Sequence, residues 1–348
     1  MKLLILTQKV AKNDPVLGFF HQWIIEFANR FEAVTVVCLE EHEHALPHNV
    51  RVRSLGKESG ASRSKYMWRF FRYIVQERSA YDVVFVHMNQ EYVLLGGIFW
   101  KLFGKQIFLW RNHPLGTPLT RVAVWLADTV LYTSPLSYTA AWNKSVQMPA
   151  GIDTTGCAQV DDVRRETDSI LSLGRISPIK NIEVIIEALG LLSSRNISYT
   201  AALYGNADES HPNYYTKMQH RIQELQTKSD IVQRSAVPHS QTPDIYQQYD
   251  IFINATKSGS MDKTILEAML CGCIVVVSNL SFKNILPSEL LFKEGDREDL
   301  ANTLARVLSF SAEKKDAIRN QLRAYVLREQ SLDALMQKLT HLIHEKRS

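Results

Sequence analysis

The sequence predicts an α/β protein with two domains, each built on a parallel β-sheet that helices flank on both faces. The chain has 348 residues, which exceeds the size at which a single hydrophobic core usually keeps growing. Short apolar runs of strand length alternate with helical patterns in both halves. The stretch 153–168 is polar and has no strand pattern. We therefore expect one domain over residues 1–152 and a second over residues 153–330.

The first half opens directly into an apolar, strand-like run at residues 2–7. Runs of the same kind recur along this half, and helical periodicity fills the segments between them. The predicted strands are 2–7, 33–39, 50–54, 83–87, 106–110 and 129–132. The predicted helices are 19–30, 66–77, 92–103 and 120–127.

The second half repeats the alternation of strands and helices, which is typical of a second parallel sheet. Its predicted strands are 169–173, 199–204, 231–233, 251–254, 273–277 and 290–292. Its predicted helices are 181–192, 213–226, 241–248, 263–271 and 299–308. Ligands of such sheets bind beyond the carboxyl ends of the strands, so we expect a cleft between the two sheets.

The composition predicts a cytoplasmic protein. Apolar residues make up 45% of the chain and charged residues 22%, which is ordinary for a soluble domain. The four cysteines are too few and too scattered for a disulfide framework, so a reduced compartment is expected. The amino terminus lacks the pattern of a signal peptide. The most apolar window, residues 92–110, is interrupted by lysines and a glycine and is interpreted as a buried helix followed by a strand.

Positive charge is concentrated in the first half. Residues 1–152 hold 17 Lys and Arg against 11 Asp and Glu, and much of the excess lies between Arg63 and Arg78, interleaved with aromatic residues. Such a helix can lie peripherally on an anionic membrane, bind nucleic acid, or pack its aromatic side chains on the core. We expect contact with the inner face of a membrane and no nucleic acid.

The segment 174–180 indicates an anion site. The apolar run 169–173 is followed by Gly174 and then by two cations, Arg175 and Lys180, before the next predicted helix. A strand, a tight turn and a helix form anion sites at the carboxyl edge of parallel sheets. The planar fork of arginine and the mobile charge of lysine suit the two phosphates of a nucleoside diphosphate.

A second constellation lies about ninety residues further on, in the segment 258–272. A Gly/Ser run precedes a helix that begins near Asp262, and the first-turn N–H groups around Lys263 and Thr264 could hold a phosphate. Glu267 follows one turn later, and a carboxylate there could accept hydrogen bonds from a ribose. The alternative is that Asp262 caps the helix and Glu267 is merely exposed.

These segments resemble family 4 of the retaining glycosyltransferases, the glycosyl transferases group 1, which have the GT-B fold of two Rossmann-like domains facing a central cleft. The resemblance covers the second half well and the first half thinly. The segments that match family patterns are 174–180 for the diphosphate clamp, 267–272 for Glu-Ala-Met-Ala-x-Gly, 149–153 for the domain junction, and 128–134.

The sequence departs from the family pattern at two places. Gly259 stands where the family's Glu-x7-Glu motif has its first glutamate, which in relatives contacts the sugar. Asp262 and Lys263 could take over part of that role. The glycine-rich turn after the first strand is reduced, but the backbone N–H of Gly18 could still reach the diphosphate.

The resemblance implies a hexosyltransferase that moves a sugar from a nucleoside diphosphate sugar, with uracil or guanine as the expected base, to a glycan or lipid-linked acceptor. It implies retention, no metal, and a role for His113 near the transferred sugar. The absence of an Asp-x-Asp pair agrees with a metal-independent site, and no other cofactor is expected. The resemblance also implies that a helix from about Ser331 crosses back onto the first domain.

Other functions stay open. The main alternative is a non-catalytic protein of the same fold that binds a nucleotide sugar, because Gly259 removes a motif carboxylate. An epimerase of the same fold would act without an acceptor. A phosphorylase would need a cofactor lysine motif, and a nicotinamide oxidoreductase would need Gly-x-Gly-x-x-Gly after the first strand. Neither motif is present.

Overall fold

The computed structural model describes residues 1–14, 17–157, 165–227 and 230–346. It contains two parallel β-sheets, one of seven strands and one of five, connected through helices. The chain groups into two compact units: unit 1 comprises Met1–Asp153 and Leu332–Ser348, and unit 2 comprises Thr154–Ser331. The predicted fold class, α/β with two parallel-sheet domains, is therefore confirmed.

Unit 1 is built on the seven-stranded sheet, whose strand order is β3-β2-β1-β4-β5-β6-β7. Its strands are β1 (Lys2–Val10), β2 (Ala33–Glu41), β3 (Val50–Ser54), β4 (Val83–His87), β5 (Gln106–Trp110), β6 (Thr129–Tyr132) and β7 (Ser145–Gln147). Its helices are α1 (Phe19–Arg30), α2 (Arg63–Gln76), α3 (Gln90–Leu102), α4 (Pro118–Leu126) and α11 (Leu332–Glu345).

Helices cover the two faces of this sheet in separate layers. Side chains alternate between the faces of a strand, so Leu3 and Ile5 of β1 join one apolar cluster while Leu4 and Leu6 join the other. The first cluster contains the buried faces of α1 and α11. The second cluster contains the buried faces of α2, α3 and α4. The outer surfaces of α2, α3 and α4 therefore lie on the same side of unit 1.

Unit 2 is built on the five-stranded sheet, in the order β10-β9-β8-β11-β12. Its strands are β8 (Glu166–Leu173), β9 (Thr200–Tyr204), β10 (Asp230–Arg234), β11 (Tyr249–Asn254) and β12 (Ile274–Val277). Its helices are α5 (Ile182–Ser194), α6 (Pro212–Gln226), α7 (Thr242–Gln248), α8 (Lys263–Leu270), α9 (Arg297–Leu308) and α10 (Ala312–Tyr325). Because β8 lies between β9 and β11, the segments that follow these three strands meet at one edge of the sheet.

The structure differs from the sequence prediction in three elements. The predicted strand 290–292 is wrong, because Leu291 makes only an isolated bridge to Val277. The short strand β7 and the helix α10 were not predicted. Helix α10 has 14 residues, and its buried positions are Lys315, Ile318 and Leu322. This helix was missed because only two of its buried residues are apolar, which is too few for a recognisable helical hydrophobic periodicity.

The sequence predicts no disulfide framework and a reduced compartment, whereas the structure contains one disulfide. Cys157 and Cys271 form a disulfide across 114 residues of sequence, with 5.2 Å between their Cα atoms. Cys38 and Cys273 are free and buried. The pairing depends on the approach of Cys157 to the carboxyl end of α8. Only the tertiary structure brings these segments together, so spacing along the chain could not predict the bond.

The most apolar part of the sequence forms no membrane span. The window 92–110 forms most of α3, followed by β5, as its interpretation predicted. Among the residues that the structure describes, we find no helix whose length and hydropathy would let it cross a bilayer.

Candidate functional site

The candidate site of unit 2 lies where β8, β9 and β11 end. Gly174 follows β8 with a φ of 152°, in the region that favours glycine, and its N–H donates to the carbonyl of Tyr204 at 3.0 Å. A Cβ on Gly205 would lie 2.0 Å from the carbonyl oxygen of Gly174. The turn after β9 can therefore approach the turn after β8 this closely only because position 205 is glycine, while Gly174 supplies the positive φ.

Lys180 and Asp262 form the central ion pair of this edge. The Nζ atom of Lys180 lies 2.5 Å from Oδ2 of Asp262, and the two side chains are 19% and 11% exposed. The same oxygen accepts hydrogen bonds from Asn254 Nδ2 at 3.0 Å and from Thr256 Oγ1 at 3.1 Å. Burial acts to raise the pKa of Asp262, but Lys180 and the hydrogen bonds from Asn254 and Thr264 outweigh it and hold the pKa below its usual range.

Asp262 is also the N-cap of α8. Its Oδ1 atom accepts hydrogen bonds from the backbone N–H of Thr264 at 3.2 Å and from its Oγ1 at 2.9 Å. The capping role that the sequence left as an alternative is therefore present. We expected the N–H of Thr264 to be open to a phosphate, but Asp262 occupies it, since N-cap side chains bind these first-turn groups.

Lys263 is the first residue of α8, and its ammonium group is strongly desolvated. The stem of the side chain is partly exposed, whereas the Nζ atom is inaccessible to water. Burial lowers the pKa of Lys263 to about 7, and the nearby Glu267 opposes that shift. The lysine can therefore change its charge near neutral pH, which an exposed lysine does not do.

Glu267 lies on α8, and its side chain is largely buried. Its Oε1 atom is 3.1 Å from Nε2 of His239, and the two side chains are 17% and 45% exposed. Ile265, Leu266 and Met269 are buried on the same helix. The helical apolar face was predicted from the sequence, whereas the contact with His239 was not. No local pattern indicated it, because His239 precedes α7, 28 residues earlier in the chain.

Arg175 is the most exposed of the predicted site residues in unit 2. Its side chain is 62% exposed, and Nη1 lies 3.9 Å from Oδ2 of Asp208 in the segment after β9. Hydrogen bonds from Ser210 and the charge of Arg175 lower the pKa of Asp208. Arg175 and Lys180 thus lie on one loop, and each faces a carboxylate from another segment.

The position of the replaced motif glutamate has a backbone that suits glycine. Gly259 is buried and has a φ of 148°, where an L-residue would be strained. The adjacent Ser258 N–H donates to Oε2 of Glu294 at 2.9 Å, and Asn279 Nδ2 donates to the carbonyl of Ser260 at 2.8 Å. Glu294 therefore places a carboxylate next to the position where the family motif has its first glutamate.

The candidate site residues of unit 1 belong to the first half of the chain. His113 is exposed beyond the end of β5, and its Nδ1 atom lies 3.0 Å from the backbone N of Leu115, to which it can be the acceptor. The N–H of Gly18 donates to the carbonyl of Asp14 at 3.0 Å, so it closes a turn rather than standing open to a diphosphate. Another histidine of this unit, His87 at the end of β4, is buried and stacks on Phe20, with 4.0 Å between ring centroids.

No group of three or more His, Cys, Asp or Glu side chains is arranged to hold a metal within the described ranges. The cationic side chains that the described residues bring to this edge of unit 2 include Arg175, Lys180 and Lys263. Asp208, His239 and Glu294 are the additional polar residues that the structure brings to this edge.

Comparison with known proteins gives a family match for unit 2. Residues 167–309 match the family described as glycosyl transferases group 1. Mannosylfructose-phosphate synthase of Agrobacterium fabrum is 25% identical over 175 residues, which are 46% of this chain and 38% of the relative. The GtfA subunit of a Streptococcus parasanguinis UDP-N-acetylglucosamine–peptide N-acetylglucosaminyltransferase is 24% identical over 150 residues, 42% of this chain and 27% of the relative. The matches thus span well under half of these relatives.

Solved structures match over almost the entire chain. HepE of Anabaena, solved in complex with UDP and glucose, has a TM-score of 0.76 and 17% identity and covers 99% of this chain and 100% of its own. Sucrose-phosphate synthase of Thermosynechococcus elongatus has a TM-score of 0.77 and 16% identity and covers 99% of both chains. At such identities the likeness establishes the fold.

Proposed function

The chain resembles the glycosyl transferases group 1 over residues 167–309 and has the GT-B fold, and from this we propose that it transfers a sugar from a nucleoside diphosphate sugar to an acceptor hydroxyl. The observation that carries the proposal is the arrangement at the carboxyl edge of the unit 2 sheet. There the Arg175–Lys180 loop, the amino end of α8 and Glu267 belong to neighbouring segments.

The proposed chemistry follows from charge. When the bond between the sugar and the phosphate breaks, negative charge develops on the leaving diphosphate. Arg175, Lys180 and the protonated form of Lys263 are the groups that would stabilise it. We propose that these cations do so without a metal ion, with retention at the anomeric carbon as in family 4.

Glu267 is proposed to bind the ribose of the donor. A carboxylate beside a diphosphate site is electrostatically unfavourable unless it accepts hydrogen bonds, and two ribose hydroxyls supply them. His239 lies against one oxygen of Glu267, and this contact would help to orient the carboxylate toward the ribose. UDP and GDP conjugates are the expected donors. HepE, which has the same fold, was solved with UDP.

On the acceptor side, we propose a glycan or lipid-linked hydroxyl, a hexosyl group as the transferred sugar, and His113 as a contact of that sugar. Gly18 stays a candidate contact of the diphosphate only if the turn with Asp14 opens. We also propose a cytoplasmic location with peripheral contact to an anionic membrane through residues 63–78.

A second candidate function is that of a non-catalytic binder of nucleotide sugars. One observation favours it: Gly259 is buried with a positive φ, so the local backbone is adapted to the absence of the motif glutamate. Such a protein would bind the donor through the same residues of unit 2 without turning it over.

The test measures the release of nucleoside diphosphate from a panel of uridine, guanosine and adenosine diphosphate sugars in the presence of chelator. Each reaction is run with and without extracted glycans and lipids as acceptors. The proposal expects release that an acceptor accelerates and that Arg175→Ala lowers at least tenfold. Lys293→Ala, which changes an 80% exposed cation, is the matched control and should leave the rate unchanged. Binding without release in any mixture would favour the non-catalytic function.

A further inference from the structure

Helices α2, α3 and α4 of unit 1 present an outer surface with unusually large exposed apolar side chains. We call this surface the α2–α4 face and define it by Trp68, Ile98, Leu102, Leu119, Val122 and Trp125. Leu102 and Trp125 are 77% and 71% exposed, and Trp68 and Ile98 are each 60% exposed. Single exposed apolar residues are common, but a group of this size on one side of a domain marks an interaction surface.

Packing shows that the α2–α4 face is continuous. The rings of Phe71 on α2 and Phe99 on α3 lie 5.4 Å apart. A Cβ on Gly97 of α3 would lie 3.1 Å from the side chain of Leu126 on α4, so α3 and α4 are also in direct contact. All three helices bury their inner sides in the same cluster. Their outer sides therefore form one surface.

Most of the charge on these helices is positive. Helix α2 contains four Lys and Arg residues and no Asp or Glu, α3 has one lysine and one glutamate, and α4 has one arginine and no acidic residue. Arg72 lies over the ring of Trp68 with 5.1 Å to its centroid. The only carboxylate on the three helices is that of Glu91, in the first turn of α3.

The structure also changes what the basic–aromatic stretch 63–78 can contribute. Phe70 and Ile74 of α2 are buried in the core, and Phe71 packs on α3. Of the residues that define the α2–α4 face, this helix therefore supplies only Trp68, and it adds its cations beside that residue. The other five defining residues belong to α3 and α4, and the sequence pattern did not single them out.

We propose that the α2–α4 face docks on an anionic lipid bilayer. Leu102, Leu119 and Trp125 would enter the interfacial region, and the cations of α2 would contact lipid phosphates. Tryptophan suits this position because its ring has an apolar body and one polar N–H. A second copy of the chain fits less well, because a two-fold contact would bring the same positively charged surface against itself.

This inference extends the membrane contact proposed above from residues 63–78 to the exposed apolar side chains of α3 and α4. It does not rest on the proposed enzymatic function, and its test uses no substrate. The purified full chain is sedimented with vesicles of phosphatidylcholine alone and of phosphatidylcholine mixed with phosphatidylglycerol, at low and high salt. We expect binding to the mixed vesicles that falls at high salt, since exposed charges are then screened. The double variant Leu102→Glu/Trp125→Glu should reduce the bound fraction at least tenfold.

Controls separate lipid binding from a folding defect and from self-association. Leu327→Glu changes a 43% exposed apolar residue of unit 2 and should bind vesicles as the wild type does. All variants are compared by thermal unfolding. Absence of vesicle binding by the wild type would overturn the proposal, as would equal binding by the folded double variant. A wild-type dimer that the double variant dissociates, without lipid binding, would assign the face to a second copy.

Discussion

The Lys180 ammonium lies 2.5 Å from the Asp262 carboxylate, and this contact joins the loop after β8 to the amino end of α8. The diphosphate clamp implied by the family resemblance thus contains a lysine that is already neutralised. A donor phosphate would have to share Lys180 with a buried carboxylate. In the proposed function, the cost of that sharing would oppose the binding of a nucleotide.

Asp262→Asn tests this competition. The asparagine can still cap α8, but it removes the negative charge next to the proposed phosphate position. We expect nucleoside diphosphates to bind more tightly, by about tenfold, and the free protein to lose about 2 kcal/mol of stability because Lys180 loses its partner. Titration calorimetry and urea unfolding measure the two effects.

Asp296→Asn is the matched control, because Asp296 caps α9 through the N–H of Asp299 in the same way. Its nucleotide affinity should equal that of the wild type. If Asp262→Asn folds but no longer binds the nucleotide sugar, Asp262 contacts the donor directly and the competition argument is wrong.

Lys263 predicts a specific dependence of stability on pH. Its pKa is about 7 in the folded chain, whereas the ordinary lysine value of 10.5 applies to the unfolded chain. Between pH 7 and pH 10.5 the unfolded chain therefore binds more protons than the folded chain. The free energy of unfolding should therefore rise with pH across this window, by up to about 1.4 kcal/mol per pH unit from this group. Denaturant unfolding of the wild type and of Lys263→Met at several pH values measures the contribution.

The Lys263→Met variant should lose this rise in the free energy of unfolding with pH. The Lys293→Met variant, which changes an exposed lysine, should show the same rise as the wild type. Identical pH profiles of the wild type and Lys263→Met would show that Lys263 stays protonated in the folded chain.

Glu267 is expected to recognise the ribose of the nucleotide. If it accepts hydrogen bonds from the ribose, the wild type should bind a ribonucleoside diphosphate about ten to a hundred times more tightly than its 2′-deoxy form, since hydrogen bonds to charged groups are worth about 1.5–3 kcal/mol. Glu267→Ala should remove this preference. Glu298→Ala, which changes an exposed carboxylate of α9, should retain it, and retention by Glu267→Ala would assign Glu267 another role.

Lys315 is predicted to be essential for the stability of unit 2. Its Nζ atom lies 2.8 Å from carboxylate oxygens of both Asp168 and Asp250, and the side chains of Lys315 and Asp250 are 7% and 2% exposed. Lys315→Ala should cost about 3 kcal/mol, because it leaves buried carboxylate charge with less compensation. The neighbouring Lys314 is 44% exposed, and Lys314→Ala should cost less than about 1 kcal/mol. Similar losses in urea unfolding would contradict this distinction.

The sequence predicts the strands of unit 2 and the placement of Gly174, Lys180 and Glu267 because those features depend on local pattern. Apolar runs mark the strands, and residues just beyond them must lie at the carboxyl edge of the sheet. The contacts Lys180–Asp262 and Glu267–His239 could not be predicted in this way. They join segments 82 and 28 residues apart, and their partners depend on how the loops pack.

The first unit shows the same limit. The periodic, aromatic pattern of α2 indicates a helix, but it cannot distinguish the aromatic side chains that α3 covers from those that remain exposed. Phe70 and Trp68 lie two residues apart, and one is buried while the other is 60% exposed. The division follows from the packing of α2 on α3.

The measurement that tests the central claim most directly is calorimetric titration of the full chain with UDP, GDP, ADP and their sugar conjugates, in the presence of chelator. The claim predicts that one nucleotide family binds and that Arg175→Ala weakens this binding at least tenfold, while Lys293→Ala does not. Absence of binding by every nucleotide, or equal binding by Arg175→Ala, would contradict a nucleotide-sugar site at the carboxyl edge of unit 2.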